Sequence, residues 1–452
     1  MQRSRSLIML LSILLTVGLL IGCGSFGQAE LLTPAEYSIT DAQEDGTDKH
    51  TVKGEIMGQG TEEEDKVLVE PSVQEASLWD FSYRLLKENI DENNPVLSPV
   101  SAYLAMGMTG LGAAGDTLAE FEQVMGYDMH EVSRNLMQAL PAEPGTLPDG
   151  SGRESKLHVS LANSIWVDTQ MEPLQSWLED VSDIYNAKAY RAELSTTGTM
   201  NQMNEWIEEE TKGLIKKFLA KPLDPETRLA LFNTVYFYGE WQSKFEENNT
   251  YKDTFTKEDG TELQVEMMHE GSCNRRYVQQ EDFDGVVLPY RDGNMALVAL
   301  KPTAGQSVRD MYEALTEEQF SEILAEEDTT LINLKLPKFE VTFDKSLNET
   351  LQNMGIEKAF DGYLADFSNM GTSKSGNGLY ISLVRQKAVV KVDEEGTEAA
   401  AVTMVAMKES AMAEPVKPTV DVYFDEPFLY MIVDTKEEVP LFMGIMDDPE
   451  SE

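Results

Sequence analysis

Val389-Val390-Lys391-Val392-Asp393-Glu394-Glu395-Gly396-Thr397-Glu398-Ala399-Ala400-Ala401-Val402-Thr403-Met404-Val405-Ala406-Met407 is a stretch that no single secondary structure explains. Val389 to Val392 read as strand, and three acids then lead into Gly396, Thr397 and Glu398. The nine residues from Ala399 to Met407 carry no charge, no glycine and no proline, which taken alone describes a buried helix or strand. Yet the run leads straight into Lys408-Glu409-Ser410 and on to Pro415 and Pro418, the composition of an exposed loop. Read as a strand, its alternate residues Thr397, Ala399, Ala401, Thr403, Val405 and Met407 are all small or apolar, a face that helices could cover. The segment suits two places in one fold: outside it as a loop, and inside it as a central strand.

Upstream, helices come first. Leu78, Phe81, Leu85 and Leu86 share one helical face, and Ser98-Pro99 supplies a cap and a first-turn proline for a second helix. Asn204 to Leu219, carrying Trp206, Ile207, Leu214, Ile215 and Phe218, predicts a third. Strands dominate the later chain. Leu229 to Tyr238 is an apolar run without Pro or Gly, as expected of a strand covered on both faces. Ile332, Leu334 and Leu336, then Phe339, Val341 and Phe343, alternate with polar residues. Pro427 to Val433 and Pro440 to Met446 flank the polar turn Asp434 to Glu438. Helices, then sheet, then more sheet, with no solenoid-type repeat, predict a single α+β domain over residues 73–452.

Composition narrows the function classes. Apolar residues at 41% and charged residues at 26% are globular values. With 80 Asp+Glu against 36 Lys+Arg, the formal charge of −44 repels phosphate backbones and anionic headgroups, which argues against nucleic acid as a partner. Four histidines and two cysteines leave little for a metal site or a disulfide framework, and no cofactor is expected. Gly110-Leu111-Gly112-Ala113-Ala114-Gly115 spells a dinucleotide fingerprint but follows a helix, not the strand that such a site needs. His269-Glu270 lacks a second histidine, and Cys273, four residues on, reads as a spare cysteine in a loop. The chain offers no catalytic constellation, so it is not expected to be an enzyme.

The N-terminus is an address. Arg3 and Arg5 precede the uncharged run Leu7 to Gly22, shorter than a spanning helix needs. Leu20-Ile21-Gly22-Cys23 resembles the bacterial lipobox, which implies a signal peptide over 1–22, lipidation of Cys23 and export to the cell surface or envelope. Cys273 then has no partner, and the mature domain must stand without an internal disulfide. Residues 24–72 hold 12 acids against three lysines and few large apolar side chains, so 23–72 is expected to be an acidic stalk that holds the domain away from the membrane.

Asp393 to Ala401 is similar to the hinge of the serpin family, in which an acidic lead-in, a glycine, a threonine and a small-residue run open the reactive loop. Asn94-Pro95-Val96-Leu97-Ser98-Pro99-Val100-Ser101 resembles the family's early helix motif. Asn233 to Gly239 with Trp241 resembles its central strand and the tryptophan at the top of the sheet. Leu336-Pro337-Lys338-Phe339, Pro427-Phe428 and Leu441-Phe442-Met443-Gly444 are similar to its late strands, so the matches cover nearly all of 73–449 in order.

The resemblance implies a large central mixed sheet with further sheets, surrounding helices and an exposed reactive loop. It also implies a suicide-substrate inhibitor of serine-type endopeptidases, with cysteine endopeptidases as a further class of target. In that mechanism the protease cuts the loop, forms an acyl-enzyme, and is carried off as the loop enters the sheet. The expected hinge is Glu395, Gly396, Thr397, Glu398, Ala399, Ala400 and Ala401; small side chains there suit rapid entry into packed surroundings. The family register puts the reactive bond at Ser410-Ala411, with Met407, Lys408 and Met412 as alternates. The sheet-opening residues are expected to be Ser98, Ser101, Asn233, Trp241 and Gln386, the last standing where many members have histidine. A monomer that forms a covalent complex with its target is expected. The alternative is a non-inhibitory serpin acting as a cell-surface binding or scaffold protein.

Overall fold

Local chemistry starts each early helix. The Ser77 hydroxyl accepts from Asp80 N at 3.0 Å to open α1 (Leu78–Lys87), and Ser98 accepts from Ser101 N at 3.3 Å to open α2 (Pro99–Gly110) with Pro99 in its first turn. The computed structural model describes residues 29–32, 77–146, 154–291, 293–303, 305–397 and 419–450.

A short strand, β1 (Glu30–Leu32), comes first in the chain, and β2 (Val96–Leu97) lies between α1 and α2. Helices α3 (Gly115–Met125) and α4 (Met129–Ala139) lead to β3 (His158–Asp168), α5 (Gln175–Tyr185), β4 (Lys188–Ala192), α6 (Thr197–Glu210) and β5 (Leu229–Glu240). Then follow β6 (Thr250–Thr256), β7 (Glu262–Gln279), β8 (Phe283–Pro289) and β9 (Met295–Pro302). Helices α7 (Val308–Ala314) and α8 (Glu317–Ala325) precede β10 (Thr329–Pro337), β11 (Phe339–Ser346) and α9 (Asn348–Met354). The chain closes with β12 (Arg385–Val392), the two-residue β13 (Gly396–Thr397), β14 (Val420–Tyr423), β15 (Phe428–Asp434) and β16 (Val439–Met446).

Two large sheets result. The main sheet has seven strands in the order β1-β4-β3-β5-β13-β12-β11; the second runs β14-β10-β7-β8-β9-β15-β16-β2, with β6 also paired to β7. A large core joins the second sheet, α1, α2 and the inner face of the main sheet. A smaller core, including Trp166, Met203, Trp206 and Phe218, seats α6 on the outer face. The α+β expectation therefore holds.

Three local expectations change. The third helix is α6, which begins at Thr197 under the Thr196 cap and stops at Glu210. Lys212 and Gly213 both take positive φ, 50° and 88°, and end the helix; the apolar residues beyond, Ile215, Phe218 and Leu219, stay buried in non-helical chain. Cys273 is not in a loop but in β7, opposite Ile332, beside a bulge that pushes Gly271 and Ser272 outward. Finally, the span expected to be stalk touches the domain. Glu30, Leu31 and Leu32 pair with Arg191, Tyr190 and Ala189 of β4, and Ala29 N donates to Gln202 of α6 at 2.9 Å. An open sheet edge offers unpaired backbone groups to any nearby extended segment.

Candidate functional site

Among the described residues, the main sheet is interrupted. Strands β3 and β5 pair along ten residues and β11 and β12 along eight. Between β5 and β12, among the described residues, the only bridge is β13: Gly396 opposite Glu240, Thr397 opposite Gly239 and Val392. Below that bridge Leu229, Leu231, Phe232 and Val235 of β5 stay half-buried, so the expected strand covered on both faces is covered only near its top. An apolar strand with an unpaired side is an acceptor for another strand.

The bridge is tightly held. Gly396 approaches β5 so closely that a Cβ there would sit 2.0 Å from the Gly239 carbonyl oxygen, which admits no other residue without movement. Thr397 is 3% exposed, and its hydroxyl lies 2.5 Å from the phenol oxygen of Tyr290, itself stacked on Trp241 at 4.6 Å. The Trp241 indole donates to Asp393 O at 2.8 Å, and Trp241 N and Phe245 N donate to Glu395 O and Glu394 O at 2.9 and 3.1 Å. Trp241 thus lies beneath residues 393–397, in contact with their backbone.

Charge reinforces the hinge. Glu394 pairs with Lys338 at 2.7 Å, and Glu395 pairs with Lys244, which also reaches Glu240 at 3.1 Å. Lys156 approaches Glu240 from the other side at 2.6 Å. Burial alone would raise the Glu240 and Glu394 carboxyls. Lys156 and Lys244 outweigh it at Glu240, and Lys338 and Thr250 at Glu394, so both lie below the usual range. Burial pushes the neighbouring Asp393 upward.

Lower in the sheet, the expected polar cluster is divided. Gln386 of β12 donates to Ser98 O at 2.8 Å and accepts from Ser98 N at 3.0 Å, and the Ser98 hydroxyl caps Ser101. Asn233 lies on the other side of the break. It donates to Asn163 of β3 at 2.7 Å, and Asn163 donates to Tyr185 O at 2.7 Å. The Asn233 side-chain oxygen is buried without a partner among the described residues. Ser98, Ser101 and Gln386 therefore form one group and Asn233 another.

Of the remaining expected residues, Glu398, Ala399, Ala400, Ala401, Met407, Lys408, Ser410, Ala411, Met412 and Cys23 lie outside the described residues. Sequence reasoning missed Asn163, Tyr290, Lys244 and Lys338. Asn163 shares its strand with the polar Ser160 and Ser164, so no local signal singled it out. At Cys273, burial and the nearby Glu270 carboxylate push the thiol up to about 11, so it is a poor nucleophile at neutral pH.

Known proteins place this architecture. The model of the family described as Serpin (serine protease inhibitor) matches residues 76–449. Iripin-5 from Ixodes ricinus is 31% identical over 357 residues, 78% of this chain and 88% of that protein. Among solved structures, the thermophilic serpin tengpin in its native state is 34% identical with a TM-score of 0.72, over 82% of this chain and 92% of that one. Tengpin in its latent state matches with a TM-score of 0.68 at 32% identity, over 82% and 96% of the two chains. A hinge strand wedged at the top of a broken sheet, the ordered motifs and these matches agree: the chain belongs to the serpin family of serine protease inhibitors.

Proposed function

We propose that the chain is a lipid-anchored suicide-substrate inhibitor of a serine-type endopeptidase. The observation that carries the reading is the break between β5 and β12, which among the described residues is plugged at one end by Gly396 and Thr397 alone. Extending both registers downward puts residue 399 between Phe237 and Val390, 401 between Val235 and Ala388, and 403 between Asn233 and Gln386. The side chains entering on the inner face are then Ala399, Ala401 and Thr403, all small. Thr403 would bring a hydroxyl to the orphaned Asn233 oxygen, a donor for a buried acceptor.

The chemistry belongs to the protease. Its serine oxygen attacks the Ser410 carbonyl carbon, the Ser410-Ala411 C–N bond breaks, and the proton goes to the Ala411 amine as that half leaves. An ester joins Ser410 to the enzyme. Water would normally hydrolyse it; here insertion of 398–410 competes with that step. This chain supplies the bait, the small hinge and the strand-accepting break.

A serine protease panel tests the reading. Incubation with elastase, subtilisin, chymotrypsin and trypsin should give a complex that survives boiling in detergent. Mass spectrometry of the released peptide should begin at Ala411. Cleavage of the loop without any trapped enzyme would instead assign the chain to the non-inhibitory binding class.

A further inference from the structure

His269 takes no part in the hinge, yet it belongs to a row that crosses four strands of the second sheet. His269 of β7 stands directly opposite Lys335 of β10, and Lys335 directly opposite Tyr423 of β14. Opposed residues share a face, so the three side chains form one line. Tyr251 of β6 closes it, its ring stacked on the imidazole at 4.0 Å with an interplanar angle of 10°. At the other end the Lys335 ammonium lies 4.7 Å from the centre of the Tyr423 ring, a cation–π contact.

One carboxylate oxygen faces two bases. Asp253 Oδ2 accepts from Lys335 Nζ at 2.8 Å, and His269 Nε2 is 3.4 Å from the same oxygen. The other oxygen, Oδ1, accepts from Thr254 N at 2.8 Å. His269 Nε2 is buried without a hydrogen-bond partner among the described residues, an arrangement that suits a neutral ring and not a charged one. Burial and the Lys335 ammonium hold the imidazole below its ordinary value, and Asp253 offsets them only in part. Among the described groups these are the charges that act on it. Glu270, next on β7, pairs with Arg275, while Asp421 and Asp425 act on Tyr423, and Asp425 also on Lys335.

We propose that His269 is an acid sensor whose protonation loosens β14 from the second sheet. Strand β14 has four residues and, among the described residues, pairs with β10 alone. Lys335 is central to that attachment, because Phe424 N donates to Lys335 O at 2.9 Å and the ammonium covers Tyr423. Asn333, two residues earlier, donates to Asp421 at 2.7 Å. A second cation on Asp253 draws the shared oxygen away from Lys335 or pushes the ammonium aside. Either movement weakens the hold on Tyr423. Once the corner opens, the imidazole regains water and distance from Lys335, so it binds a proton more readily than in the closed sheet. The closed state is therefore fully favoured above about pH 6.5 and loses ground as pH falls towards the depressed folded value.

Hydrogen exchange of the backbone amides of residues 420–424 in the full chain, corrected for the intrinsic pH dependence of exchange, reads the opening directly. Between about pH 7.5 and about pH 5 the opening equilibrium should rise about tenfold, the factor that one unit of pKa depression gives. His269→Gln keeps a planar polar side chain that does not titrate, and His269→Phe keeps the stack on Tyr251; both should make the opening independent of pH across this window. Lys335→Met removes the competing cation and should shrink the slope. His130→Gln, at a second imidazole that burial holds low, on α4, should leave the wild-type slope intact. Exchange at 420–424 that does not quicken on acidification overturns the proposal. A slope that survives both His269 substitutions also overturns it, as does a Lys335→Met slope as steep as that of wild type or one abolished by His130→Gln. None of these readouts needs a protease, so the outcome is independent of the inhibitor reading.

Discussion

Thr397→Arg is the perturbation that bears most directly on the mechanism. Thr397 is 3% exposed, and its hydroxyl meets the buried Tyr290 phenol at 2.5 Å. Arginine would break that contact, leaving Tyr290 unpaired at a cost of about 1–3 kcal/mol. It would also carry an unpartnered charge into the sheet. The Glu240 and Glu395 carboxylates are already paired with Lys156 and Lys244 and are not free to take it. A buried charge without its partner adds at least about 3 kcal/mol, and about two orders of magnitude in insertion rate follow if the full penalty falls on the transition state. Deacylation is unaffected, so the partition should swing from trapping to turnover. On denaturing gels the variant should appear as cut chain with little complex, and the cut product should lack the rise in melting temperature that loop insertion gives wild type. Thr397→Val separates the two terms, because it keeps the volume and loses only the hydroxyl; its partition should shift by about tenfold or less. Trapping by Thr397→Arg at the wild-type yield would refute the argument, since the bridge would then not be where insertion begins.

Three further outcomes follow from the same geometry. Gln386→Ala removes both hydrogen bonds to the Ser98 backbone and should cost about 1–3 kcal/mol in urea denaturation, since Ser98 N is left buried without an acceptor while Ser98 O keeps its bond from Ala102 N. Glu240 and Glu394 have folded values below the ordinary carboxylate range, so their contribution to stability is present above about pH 4.3 and is lost as pH falls through the depressed values. Melting temperature should accordingly drop between about pH 5 and pH 3, and Lys338→Met should flatten that dependence at Glu394. Cys273→Ala should leave protease trapping unchanged, and wild-type Cys273, with its thiol pushed up to about 11, should react slowly with iodoacetamide at neutral pH.

Much of the fold was legible because local rules and tertiary packing agree. Ser98-Pro99 announced a helix start, and the alternation through Ile332 to Leu336 and Phe339 to Phe343 announced β10 and β11. Where a single local rule had to decide, the reading slipped: apolar spacing carried α6 past Lys212 and Gly213, whose backbone conformation ends it. The bridge at Gly396 and Thr397 falls in the stretch that resembles the family's hinge, three acids followed by glycine, threonine and small residues. Its surroundings carry no such signal. Tyr290 and Lys244 lie more than a hundred residues before Thr397, and no periodicity links them. Nor does sequence reveal that Asn233 and Gln386 stand on opposite banks of the break, because strand neighbours are set by long-range pairing.

The four residues from Ala29 to Leu32 change how far the inhibitor reaches. Only six residues separate Cys23 from Glu30, a span of at most about 25 Å. With a lipid on Cys23, the β1 edge of the main sheet would be moored that close to the bilayer. Patrol height would then be set by that short connection and not by the length of the acidic segment. Such an inhibitor would guard the few nanometres just above the lipid, where a protease attacking other envelope proteins has to work.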